Sequence, residues 1–599
     1  MENGLATRVV RLLSVLALVS GVAGLPVRSA GLGAGVEEPP RVPEPEKRTE
    51  PSSEKDPRLE TLEAMRAELA DSMARLRLGE HEAPYFIAYQ LKRHTSLGVL
   101  ARYGARMDAV ERDDARLFVE VRVGNYDRDS SEGSSDASFF FGETGGPTYF
   151  PADRAPLDVD PLALRTALWL LTDQKYKAAL SAWLRGKAEA VYVPERSSAG
   201  SFTREEPVRF IQKPIAFQFD RGRWERVARS LSKMLAEYPE LIDSEVRITA
   251  DKEVRTLVTS EGTELITEQA LFSVHMQAMT RAEDGELLDN FRSFYADAEG
   301  GLPSEETLRK AAAEMVAELR ALRSAPVVDP YTGPALLAPE ATGVLFHEAV
   351  GHRLEGERLH DDHEGRTFKG QVGNRVLPPF IGLVDDPTMK EFEGTPLNGY
   401  YLYDDQGVPA QRVELIREGV LRNYLLSRKP VEGFERSNGH GRAQGNRTPV
   451  ARMANLMVTS SKRVSEARLR QMLIAEARKA NKPYALIIKD MTAGNTNTST
   501  YGYQAFKGVP RLVYRVDVKT GKEELVRGVE IVGTPLASIN KIVATSDTFG
   551  VFNGFCGAES GYVPVSTIAP WALVSEIELQ RTARAKERAP LLPPPMHRD

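Results

Sequence analysis

The chain has 599 residues, of which 42% are hydrophobic and 27% charged, and its formal net charge is −6. That length carries two or three domains of ordinary soluble composition. The mild acidity argues against strong nucleic-acid binding, which calls for a basic face.

At the N-terminus, Arg8 and Arg11 precede an apolar run from Leu12 to Leu25, with small residues at Ala23-Gly24 and Ser29-Ala30. A charged start, a short apolar centre and small residues beyond it predict a signal peptide over 1–30, and so a secreted or periplasmic protein. The run is shorter than the ~20 residues a spanning helix needs, so no stable membrane span is expected after cleavage, with an uncleaved anchor as the alternative. No Cys lies near the cleavage region, which excludes a lipoprotein. Residues 31–56, rich in Pro, Glu, Lys and Arg, read as a disordered tether.

An α+β N-terminal domain is expected over 57–328. A helix over Arg58–Leu78 places Leu59, Leu62, Met65, Leu69, Met73 and Leu76 on one stripe. Strand-like runs follow at 85–91, 97–103 and 117–123, the last alternating strictly. The Ser/Gly-rich stretch 129–148 reads as a surface loop, within which Phe139-Phe140-Phe141 reads as buried strand rather than interface. Helical periodicity returns at 160–190, 221–237 and 304–323, with alternating strands between 243 and 296.

Residues 329–580 predict a β-rich, mainly antiparallel domain that holds the chemistry. Leu336-Leu337 and Pro339 fit a buried strand end followed by a helix with Pro in its first turn. Short strands are expected at 380–385, 411–416, 420–426, 452–459, 484–489, 512–518 and 524–533, with one helix at 464–480. The Asn/Thr run 495–500 and Tyr501-Gly502-Tyr503 read as a solvated loop, with pairing to substrate backbone as the alternative. A basic, then Pro-rich tail over 581–599 predicts disorder.

Residues 347–352 read His-Glu-Ala-Val-Gly-His. Two imidazoles and a carboxylate this close can hold a divalent metal beside a general base. The spacing is HExxxH, and on an ideal helix His347 and His352 would stand about 140° apart, too far round to share one ion. A one-residue π-bulge would bring them together, and Gly351 would tolerate it. His360 and His363, among Asp and Glu neighbours, read as solvated loop residues rather than ligands. The strongest third ligand is Cys556, in a glycine-rich Gly554–Gly561 stretch that reads as a flexible loop able to approach an ion; His440 is next in line.

The segments Tyr331-Thr332-Gly333-Pro334, His347-Glu348 with His352, Tyr403-Asp404-Asp405-Gln406-Gly407-Val408-Pro409-Ala410-Gln411-Arg412 and Ser437-Asn438-Gly439-His440-Gly441-Arg442 resemble the TldD/PmbA family. So do Gly554-Phe555-Cys556-Gly557 and Pro564–Pro570, and the likeness runs in order from about 80 to 580. The resemblance implies a metallopeptidase with one Zn2+ per chain held by His347, His352 and Cys556, and Glu348 as the base that activates metal-bound water. Retention of HExxxH is similar to the active type rather than to partners that have lost it. The resemblance further implies short or unfolded peptides as substrates, held as an added strand in a homodimer or a heterodimer with a related subunit. Classical members resemble cytoplasmic proteins, from which the leader departs. His440, Arg442 and nearby tyrosines are candidates to stabilise the oxyanion. Two other classes stay open on the residues: an inactive peptide-binding partner with a structural metal, and a metal-dependent amidohydrolase of non-peptide substrates.

Overall fold

The computed structural model describes residues 56–131, 153–189, 199–360, 367–496, 506–531 and 535–582, with 590, 592 and 595. The expected leader, the tether up to residue 55, the Phe139–Phe141 triplet, His363, residues 497–503 and, apart from 590, 592 and 595, the tail beyond 582 lie outside the described residues.

The fold is α+β, and among the described residues two large sheets dominate it, beside two small two-stranded ones. The N-terminal sheet is built on long antiparallel strands: β1 (Pro84–Arg102), β2 (Ala105–Val123), β4 (Leu241–Thr259) and β5 (Glu264–Arg281), joined by the short β3 (Arg209–Ile211) and by β6 (Leu287–Ala296) on β5. The runs expected separately at 85–91 and 97–103 are one strand. The polar stretch Lys92–Ser96 breaks the apolar alternation, but β2 on one side and β4 on the other pair every residue of it. Tyr103 and Gly104 both adopt positive φ, which suits the two-residue turn joining β1 to β2.

Four helices cover this sheet. Helix α1 (Pro57–Arg75) packs beside α2 (Pro161–Glu189), burying Leu62, Met65, Leu168 and Trp183 against Tyr89 and Leu117. Helices α3 (Arg221–Ala236) and α4 (Glu305–Ser324) bury Trp224, Leu231, Leu308 and Met315 against Val274 and Met276. Asp56, Asp220 and Ser304 cap α1, α3 and α4 by accepting from backbone N–H groups in the first turn. Among the described residues no helix is long and apolar enough to cross a membrane.

A larger sheet of 14 strands among the described residues forms the second half. Strand β7 (Tyr331–Leu337) leads through Ala338 into helix α5 (Pro339–Ala349), as the Leu-Leu-Ala-Pro run predicts. The sheet then takes in β8 (Ile381–Asp385), β9 (Val413–Arg417), β10 (Val420–Leu421), β11 (Asn455–Ser460), β12 (Tyr484–Ile488), β13 (Val513–Asp517) and β14 (Glu523–Val526). Between β11 and β12 runs helix α6 (Glu466–Lys479). The sheet closes with a long hairpin, β15 (Ile542–Ala558) and β16 (Gly561–Arg581). Most pairings are antiparallel, while β11 on β16 and β12 on β7 are parallel. Helix α5 lies on the β15–β16 hairpin, which is how a residue near position 350 meets one near 556.

That hairpin corrects the expectation of a flexible loop at 554–561. Cys556 lies near the end of β15, paired opposite Val563, and is 2% exposed within the main core. Gly550, Gly554 and Gly557 look like turn residues, yet none has positive φ. Gly557 is needed because a Cβ there would fall 2.7 Å from the Tyr562 ring. The turn itself falls at Glu559-Ser560, with Gly561 at φ +89.

The two sheets meet across a polar seam. Lys92 Nζ donates to the Ala443 carbonyl at 2.6 Å and pairs with Asp405 at 2.8 Å, and Arg255 pairs with the same carboxylate at 2.8 Å. Arg255 also donates to the carbonyls of Tyr403 and Asp404, both at 2.8 Å.

Candidate metal centre

Helix α5 carries His347 in its last turn and then stops. Val350, at φ −120 and ψ −50, leaves helical geometry, and Gly351–Leu354 continues as a 3-10 turn. The two histidines are therefore brought together by a helix end, and not by the expected π-bulge. The tighter winding of a 3-10 turn would by itself carry His352 further round from His347, so it is the break at Val350, which redirects the chain, that lets the two rings meet. The imidazoles stand edge to face at 90°, with centroids 5.0 Å apart.

Arg353 fixes this ending. Its Nη1 donates to the carbonyls of Glu348 and Ala349 at 3.0 and 2.8 Å, supplying partners to two of the four carbonyls a helix end leaves open. Gly351 matters for space rather than for backbone freedom. It lacks positive φ, and a Cβ there would lie 2.1 Å from Met453 Sδ.

Cys556 reaches the pair from β15. His347 Nε2 is 3.1 Å and His352 Nε2 3.4 Å from Cys556 Sγ, and ligand atoms of all three lie within 4.8 Å of one another in a buried position. A tetrahedral zinc with Zn–N near 2.0–2.1 Å and Zn–S near 2.3 Å separates its N and S ligands by roughly 3.6 Å, so the donors fit such an ion with small adjustments. Two imidazole nitrogens and one sulfur leave a fourth position, as catalytic rather than closed structural sites do.

The electrostatics suit a cation. Burial opposes the Cys556 thiolate, but His352, Arg452 and His347 together draw the thiol well below its ordinary range. Burial likewise opposes a charged His352, and Cys556 with Glu355 outweigh it, holding the imidazole well above its usual pKa. Glu348 follows His347 in the last turn and is 3% exposed.

A second layer surrounds the donors. Glu355 Oε2 lies 3.1 Å from His352 Nδ1 and 3.3 Å from Arg358 Nη2, and His352 and Arg358 help hold its carboxyl down to about 2 against the opposing effect of burial. Arg452, fully buried, donates from Nη2 to the Cys556 carbonyl at 2.7 Å and from Nη1 to Ser560 Oγ at 2.9 Å. Reasoning from the sequence missed both residues. A carboxylate three positions after His352 is a signal that the rule of carboxylate-oriented histidine ligands could have used. Arg452 offers no local signal.

Other expected residues fall elsewhere. His440 is fully buried with Nδ1 3.0 Å from the Asn438 carbonyl and Nε2 3.3 Å from Asp385, so both ring nitrogens are engaged away from the three donors. Arg442 donates to the carbonyls of Met453 and Pro564 at 2.7 and 2.8 Å, which occupies it structurally. His360, expected to be solvated, is largely enclosed. Its Nε2 is buried without a hydrogen-bond partner, and burial, with the Lys429 and Lys369 charges, lowers its pKa to about 4. Its acidic neighbours suggested an open turn, but its backbone follows the 3-10 turn Gly356–Leu359 that packs into the domain.

Residues 330–581 match the family model of the PmbA/TldA metallopeptidase C-terminal domain. A metalloprotease of Archaeoglobus fulgidus is 30% identical over 230 residues, 38% of this chain and 48% of its own. A zinc metalloprotease TldD homologue of Saccharolobus solfataricus is 26% identical over 248 residues, 41% of this chain and 51% of its own. The chain thus spans about half the length of the curated relatives it matches. Among solved structures, TldE from Thermococcus kodakarensis superposes with a TM-score of 0.56 at 14% identity, covering 86% of this chain and all of that one. A Thermotoga maritima protein described as a putative modulator of a DNA gyrase gives 0.52 at 14% identity, over 82% and 96%. At such identities the likeness is one of fold.

Proposed function

The chain belongs to the TldD/PmbA family, and from that premise we propose that it is a zinc-dependent metallopeptidase that hydrolyses short or unfolded peptides. The observation that carries this reading is the convergence of His347, His352 and Cys556, from a helix end, a 3-10 turn and a strand 204 residues beyond His352, on one buried point. The names of the relatives point the same way, as metalloproteases and, in one case, a zinc metalloprotease.

When bound, zinc would leave one position for water, lower the pKa of that water toward roughly 7 and polarise the scissile carbonyl. The residues of the chain supply the rest. His347 and His352 present Nε2, and Cys556 its thiolate, as ligands. Glu348 acts as general base, its carboxylate taking the proton of the attacking water and passing it to the leaving nitrogen. Burial of the whole group keeps bulk water from competing and strengthens each charge interaction. We further propose that the leader directs the protein out of the cytoplasm, and that it works as a dimer with itself or a related subunit.

Elemental analysis of the purified protein tests the centre: about one zinc per chain is expected in the wild type and in Glu348→Gln, and none in His352→Ala or Cys556→Ser. A peptide-library screen should show cleavage by the wild type and none by Glu348→Gln. Metal retained in Cys556→Ser would move the third ligand elsewhere, and a zinc-loaded wild type without turnover would favour a peptide-binding partner.

A further inference from the structure

We infer that Glu355 is a positioning residue for the metal site: it holds His352 in the tautomer and ring orientation that present Nε2 to the point shared with Cys556. The inference rests on the zinc reading above. A histidine ligand offers its metal a lone pair on one nitrogen only if the other carries the proton, and a carboxylate on that other nitrogen fixes the choice. Glu355 Oε2 stands 3.1 Å from His352 Nδ1, while His352 Nε2 stands 3.4 Å from Cys556 Sγ.

Three features make Glu355 a rigid support. Its backbone is extended between two 3-10 turns, and an isolated bridge to Leu425 pins it, with Gly356 N–H donating to the Leu425 carbonyl at 2.8 Å and Leu425 N–H to the Leu354 carbonyl at 2.9 Å. Its side chain is 1% exposed. Arg358 approaches Oε2 at 3.3 Å, and Arg452 Nε stands 3.5 Å from Oε1. Arg452 also holds the Cys556 carbonyl, so one guanidinium ties the support of His352 to the backbone of the sulfur ligand.

A carboxylate present only to neutralise two buried arginines would be expected to form its closest contacts with them. The shortest contact of Glu355 is instead with His352, and Arg358 has a closer partner in Glu559 at 2.7 Å.

The test measures zinc affinity of the full chain by chelator competition for the wild type and Glu355→Gln, with unfolding temperatures taken with and without zinc. The variant keeps the size and an acceptor oxygen but loses the charge. It should fold without metal, bind zinc about 10–100-fold more weakly, and show a smaller zinc-induced rise in Tm. The conservative Glu355→Asp, which restores the charge at a shorter reach, should recover part of the affinity. A purely structural Glu355 would lower both unfolding temperatures together and leave the zinc Kd of Glu355→Gln at the wild-type value. That result, or a Glu355→Gln chain that does not fold without metal, overturns the inference. Absence of zinc from the wild type overturns the metal reading itself and this inference with it.

Discussion

Gly351 lies between the two histidines, and its missing Cβ sets how closely the turn packs on the core. A methyl group there would stand 2.1 Å from Met453 Sδ, 3.0 Å from Met453 Cε and 3.4 Å from Leu456 Cδ2. Met453 and Leu456 are fully buried and have little room to retreat. Overpacking of this kind costs about 1–3 kcal/mol. Gly351→Ala should therefore lower stability by that amount and displace His352, reducing zinc content. Met453→Ala would cost stability alone by leaving a cavity, yet the double variant should lose less than the sum of the two, because the methyl group then occupies the vacated space. Chemical denaturation of the four proteins measures the coupling; strict additivity would show that the turn yields without pressing on Met453.

Helix α5 shows where the reading of elements from sequence succeeds and where it stops. Its start was legible, since Pro339 suits the first turn and the apolar run before it suits a buried strand end. Its end was not, because what stops it is Arg353 folding back on the carbonyls of Glu348 and Ala349 while the following turn packs under Met453. Those are tertiary contacts, invisible to periodicity. The same division holds for the hairpin: its tail was recognised by motif, but Gly550, Gly554 and Gly557 disguised a 17-residue strand whose alternation buries Phe552 and Cys556. The three donors could be named from residue type and resemblance, whereas Glu355 and Arg452 required knowing what surrounds His352. The capping role predicts the effect of Arg353→Met. Each buried carbonyl left without a donor costs about 1–3 kcal/mol, so the variant should unfold earlier and lose zinc at chelator concentrations the wild type withstands. Unchanged unfolding and zinc retention would mean that Arg353 does not hold the helix end.

The whole molecule depends on the seam between its sheets, and there Asp405 is the group on which both halves converge. Lys92 and Arg255 arrive from β1 and β4 of the N-terminal sheet, and the Ala443 N–H donates to the other carboxylate oxygen at 2.8 Å. Burial raises the pKa of this carboxyl, but Lys92 and Arg255 outweigh it and hold the group well below the ordinary carboxylate range. A carboxyl with a depressed folded pKa binds fewer protons folded than unfolded between its two pKa values. Its contribution to stability is therefore complete above the unfolded value of about 4 and is lost as pH falls below that toward the folded pKa. Asp405→Asn removes the charge and leaves two buried cations without their shared partner, at a cost of about 3–5 kcal/mol near neutrality. Unfolding free energies measured from pH 7 down to pH 2 should show the wild type and the variant far apart above pH 4 and converging below it, as protonation does to the wild type what the substitution has already done. A gap that stayed constant through the acid range would place the loss in packing rather than in the charge of Asp405.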